Sequence, residues 1–172
     1  MYAPHTVTVY NVLPEVDMTT FEETETAYVT ILRGVFLDAA KAVNVRSSGI
    51  ESADAVNLFI PFSADAYDGH PGVGGDWSQK DYDGIITSDE FFFSTGVSKR
   101  FVSPHEFISA QDKRNLWTLA GDGYGVETFF VKGEVVTTAA AARAHDYSFK
   151  VTKVDIKDYG SPSMQHFEVG GA

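Results

Sequence analysis

Val29-Thr30-Ile31-Leu32-Arg33-Gly34-Val35-Phe36-Leu37 reads as the body of a long β-strand with a glycine set inside it. β-branched and aromatic side chains fit a pleated, half-buried surface, and the strand pattern extends from Ala27 to Leu37. A glycine there packs nothing. It marks a bulge or a bend, as small barrels use at their corners.

Similar runs stand on both sides of it. His5-Thr6-Val7-Thr8-Val9-Tyr10-Asn11 alternates as a short strand, and Asp54-Ala55-Val56-Asn57-Leu58-Phe59-Ile60-Pro61-Phe62 is another, with Pro61 at its end. Residues 14–26, acidic and rich in Thr, suit a turn or hairpin tip. Far along the chain, Tyr147 to Ile156 alternates well, and Gln165 to Val169 forms a last strand that stops almost where the chain does. Its closing residues are therefore expected inside a sheet. Glu127 to Val136 is a strand whose Phe129-Phe130-Val131 run predicts burial on both faces, and Leu116 to Leu119 is a short one.

Helix signals are fewer. Ser103-Pro104-His105-Glu106 has Ser at the cap, Pro at the first helical position and Glu three residues after the cap, which is a capping box. It predicts a helix from Pro104 to about Lys113. Ala39, Ala40 and Ala42 favour a helical turn over 38–45, and the Ala-rich stretch 138–144 reads either as helix or as loop. Residues 64–99 crowd Gly and Asp together and are too long for a simple connection. The expected fold is mainly β: a small β-barrel or sandwich in a single domain over 1–172, with one short α-helix and a loop excursion at 64–99.

Composition bounds the function. The chain has 172 residues, 44% hydrophobic and 13% aromatic, enough for one packed core. Its 24 acids and 13 bases give a net charge of −11, and the bases are spread out, adjacent only in the pairs Lys99-Arg100 and Lys113-Arg114. Gripping phosphates needs clustered Lys and Arg, so no DNA- or RNA-binding face is expected. With no cysteine, disulfides and thiolate chemistry are excluded. No signal-peptide pattern opens the sequence, and no apolar run approaches the ~18–20 residues that span a bilayer.

Chemical motifs are sparse. In the segment Gln79 to Glu90, the residues Asp81, Asp83, Gly84, Ile86 and Glu90 fall at positions 3, 5, 6, 8 and 12 of a calcium loop. The first ligand position holds Gln79, and Gly- and Pro-rich flanks replace the two helices. The stretch therefore reads as an acidic hairpin loop and no metal is expected, with Asp81, Asp83 and Glu90 the only ligand candidates. Gly72-Val73-Gly74-Gly75 lacks the Lys-Ser/Thr of a phosphate loop. His5, His70, His105, His145 and His166 have no metal spacing, and no Gly-x-Ser-x-Gly elbow occurs. Neither a catalytic residue nor a cofactor is expected. Phe91, Phe92 and Phe93 either pack beneath the excursion or serve as an interface.

Several segments together resemble a known group. They are Leu32-Arg33-Gly34-Val35-Phe36, Ala53 to Phe62, Val102-Ser103-Pro104-His105-Glu106-Phe107, Phe130-Val131-Lys132-Gly133-Glu134, and Val151 to Asp155 with the Gln165 to Gly171 end. The chain resembles head-tail connector proteins of tailed bacteriophages and prophages, of the head-closure (stopper) or minor-capsid kind. That resemblance implies a structural virion protein, assembled in the bacterial cytoplasm. It implies a ring homo-oligomer at the head-tail interface, contacting a portal or adaptor protein and a tail-joining protein. DNA would pass through the lumen without specific binding, and acidic walls would let it slide. The other reading is a tail-associated binding module, a tail terminator or tail component, with calcium in the 79–90 loop.

Overall fold

The computed structural model describes residues 3–16, 18–46, 49–69, 98–121 and 123–172, and the backbone alone at 15, 24, 40–46 and 49–55. Nine strands are present among them: β1 (His5–Val16), β2 (Glu23–Arg46), β3 (Gly49–Pro61), β4 (Asp65–Asp68), β5 (Arg100–Phe101), β6 (Leu116–Trp117), β7 (Glu127–Lys132), β8 (Ser148–Lys157) and β9 (His166–Gly171). Two short helices are described, α1 (Pro104–Ser109) and α2 (Ala139–Arg143).

The main sheet runs β1-β7-β8-β9-β3-β2-β4, and β1 also pairs with β2. That extra pairing closes β1, β2, β3, β9, β8 and β7 into an antiparallel barrel, and β4 continues β3 along the same edge of β2. Closure needs a stagger between strands. From Val29 the ladder passes Tyr10, Phe129 and Lys150. One residue on, from Val151, it passes Gly171 and Val56 and meets β2 again at Ala39.

Alternation fills the barrel. Val7 and Val9 of β1, Leu32, Val35 and Leu37 of β2, Val56, Leu58 and Ile60 of β3, Phe130 of β7, Phe149 and Val151 of β8, and Phe167 and Val169 of β9 form one buried cluster. Along β2 the inward set steps from Leu32 to Val35. Gly34 causes this. It has φ +80°, and the register shifts there, since His5 faces Val35 while Thr6 faces Arg33. The glycine is the bulge expected from the sequence. The shift also lets His5 Nδ1 accept a hydrogen bond from the Leu37 amide at 3.0 Å.

The outer face of β1 and β7 is covered by α2. Tyr10 stacks on Phe129 at 4.8 Å, and both pack with Val131, Ala139 and Ala142. The Tyr10 hydroxyl donates to the Val135 carbonyl and accepts from the Thr137 amide. Phe129, Phe130 and Val131 are all buried, as the run of three apolar residues predicts. Thr138 caps α2, which settles the Ala-rich stretch as helix.

Several expectations change. The strand expected over 127–136 ends at Lys132, residues 14–16 and 23–26 are strand rather than turn, and a second short helix, α2, joins the single one expected. Residues 38–45 are strand, not a helical turn: Asp38 faces Asn57, and the ladder continues to Arg46 opposite Gly49. Cross-strand hydrogen bonds outweigh alanine's few tenths of a kcal/mol per residue. Helix α1 begins as expected, with Ser103 Oγ accepting from the Glu106 amide at 3.2 Å, but it ends at Ser109, because Ala110 is extended at ψ 136°. The excursion is also shorter than 64–99. Asp65–Asp68 is strand β4, Ser98 bridges Tyr67, and the Lys99 amide donates to the Ala66 carbonyl at 2.8 Å.

Two hairpins outrun the barrel. At one end, Leu13–Val16 pairs only with Glu23–Thr26. At the other, the backbone ladder of residues 40–46 with 49–55 has no third strand among the described residues.

Candidate interface

The residues singled out for chemistry or contact, Asp81, Asp83, Glu90, Phe91, Phe92 and Phe93, lie outside the described residues. Among the described residues, no group of three or more His, Asp or Glu side chains comes together as a metal site would require. No described helix is long and apolar enough to cross a membrane. His166 is half-buried on β9. Its Nε2 lies 3.1 Å from Glu168, and its ring adjoins Phe59 in a row with Phe36 and His5 on the barrel wall.

One apolar hollow stands out. It opens at the barrel end where β3 and β8 stop and β9 starts, and has a volume of about 460 Å³. Ile60, Phe62, Phe101, Trp117, Ile156 and Phe167 line it. Phe101 packs against Phe167 with ring centroids 4.5 Å apart and planes tilted by 47°, and stands edge-on to Trp117 at 5.0 Å. These rings come from three different strands, β5, β6 and β9, and from the β3–β4 turn, so no local sequence signal reveals the hollow. Phe62 and Ile156 are 40% and 54% exposed at its rim. Asp158 and Lys99 complete the lining.

Lys99 sits at the base. Its ammonium is fully buried, 3.6 Å from the Asp68 carboxylate and 3.0 Å from the Val29 carbonyl. Burial pushes its pKa down to about 8, and the Asp68 charge opposes that shift. The sequence shows Lys99 only as half of a basic pair. Its burial follows from the Ser98–Tyr67 bridge, which turns the side chain inward beneath β4.

A second apolar feature is the β1–β2 hairpin tip. Val16, Met18 and Phe21 are 52%, 80% and 77% exposed. Phe21 has φ +56°, rare for a residue with a side chain. Exposed Glu22, Glu23 and Glu25 follow it. The hairpin base is anchored by Arg143, whose guanidinium reaches Glu25 at 3.0 Å and Glu127 at 2.7 Å. An acidic tip was legible within residues 14–26, although its two flanks, 14–16 and 23–26, are paired strand; the Met and Phe at the tip were the unread signal.

The chain belongs to a family of unknown function, DUF6751, whose pattern matches residues 2–95. That match takes in β1 to β4 and runs on through the excursion. No curated protein and no solved structure matches the chain.

Proposed function

We propose that this protein is a structural component of a tailed phage or prophage particle, forming a ring at the head-tail junction through which DNA passes. The observation that carries this reading is the shape of the subunit. A closed barrel is a rigid wall element with no open edge of its own. From it one hairpin projects at each end, and a two-stranded ribbon standing alone is at best marginally stable in water. Such ribbons gain stability by contact with neighbours, here adjacent subunits and the portal or tail-joining protein. A net charge of −11 suits a lumen wall that must not hold the duplex. No catalytic role is assigned to any residue.

The test is removal of the gene from an inducible phage. Particles should package DNA and then lose it, giving empty heads apart from free tails in negative-stain images. Normal infectious particles would refute the reading.

A further inference from the structure

The β1–β2 hairpin carries apolar side chains at its far end, where a ribbon surrounded by water ordinarily shows polar ones. Val16, Met18 and Phe21 all stand more than half exposed, beyond the reach of the barrel core. Phe21 is also held at φ +56°, a left-handed conformation that is rare for a bulky side chain. Backbone outliers of this kind collect at contact sites. The base of the hairpin, by contrast, is fixed. Arg143 of α2 bridges Glu25 and Glu127, and its guanidinium lies 5.5 Å from the centre of the Phe129 ring. The tip is therefore aimed before a partner arrives, which lowers the ordering cost of binding.

Charge selects the partner. Exposed Glu22, Glu23 and Glu25 follow Phe21 directly. An apolar centre with an anionic collar repels anionic surfaces and draws cationic ones. A second copy of this chain is a poor match. Its net charge is −11, its aromatic hollow has Asp158 in the lining, and the Lys99 there is already matched by Asp68. Anionic lipid is repelled for the same reason. We propose that the tip, led by Phe21 and Met18, seats in an apolar socket rimmed by Lys and Arg on a different protein. The inference rests on the ring reading for the place of that partner, a neighbouring protein of the head or the tail. The two apolar side chains supply affinity, and the glutamates supply orientation and a faster encounter.

The test uses heads and tails purified separately from an inducible phage that lacks the gene. Each is mixed with the full-length protein and sedimented. The wild type is expected to bind one of the two, less tightly as salt is added. Phe21→Ser with Met18→Ser is expected to weaken binding roughly tenfold or more, the loss that an aromatic anchor produces. Glu22→Gln with Glu23→Gln is expected to bind less tightly and with a shallower salt dependence. Both double variants should keep the wild-type circular dichroism spectrum and melting temperature, because all four side chains are exposed. If the serine variant binds like the wild type, or the glutamine variant keeps the wild-type affinity and salt dependence, the inference fails and the ring reading stands. If the wild type binds neither heads nor tails, both fail. If the wild type sediments with phosphatidylcholine vesicles and the serine variant does not, the tip serves a bilayer and the inference fails.

Discussion

The Lys99 ammonium and the Asp68 carboxylate face each other at 3.6 Å with side chains 0% and 6% exposed, forming a buried ion pair between the two ends of the excursion. Taking both charges out of water costs several kcal/mol per ion, which their attraction offsets only in part. Replacing one partner should therefore hurt more than replacing both. Lys99→Met is expected to lower stability by about 3–5 kcal/mol, and Lys99→Met with Asp68→Leu to recover most of that loss. Chemical denaturation of the two variants measures both. Equal loss in the single and the double variant would show that the pair does not act as a unit.

The same lysine sets a pH dependence. Its folded pKa is about 8, below its ordinary value of 10.5. The unfolded chain thus holds this proton more tightly, so folding is opposed below pH 8 and the burden is relieved as pH rises to 10.5. Wild-type stability, taken relative to the Lys99→Met, Asp68→Leu variant, is expected to rise across that window. A flat or falling difference would contradict the assignment.

Tyr10 is fully buried, with its hydroxyl bonded to the Val135 carbonyl and the Thr137 amide. Tyr10→Phe keeps the stacking on Phe129 and leaves those groups without a partner. A loss of about 1–3 kcal/mol is expected by thermal or urea unfolding. A neutral result would mean that the α2 approach is held by other contacts.

Removal of the excursion depends on where it is cut. Ser98 bridges Tyr67, so a short Gly-Ser linker can join Gly69 to Ser98 in place of residues 70–97. That variant is expected to keep a β-rich circular dichroism spectrum and a melting temperature near wild type. A cut taking residues 66–97 also removes Ala66 and Asp68, strands Lys99 in the core and should unfold the protein. Similar behaviour of the two deletions would show that β4 is dispensable.

Much of the barrel was legible because its signals are local. Gly34 announced the bulge, Ser103 the start of α1, and Phe129 to Val131 a strand buried on both faces. Residues 38–45 misled, because alanine is equally at home in a strand once β3 supplies the hydrogen bonds. Asp65–Asp68 was hidden in loop composition, since a four-residue strand on the flank of β2 needs no apolar pattern of its own. The hollow was not readable at all. Its rings meet only after the barrel closes, and a lysine has no sequence mark for burial.

Closure also dictates the order of assembly in time. The β1–β2 and β2–β3 pairings join neighbours in sequence, whereas Thr8 on β1 reaches the Gly133 carbonyl across 125 residues. Contacts of that span carry a large loop-closure entropy and slow the rate-limiting step. The first three strands leave the ribosome early, with Val7, Val9, Leu32 and Leu58 facing a cavity that nothing yet fills. Until β7, β8 and β9 arrive, this half-barrel is a sticky intermediate. Its lifetime, rather than the final stability, governs how much protein escapes aggregation during synthesis.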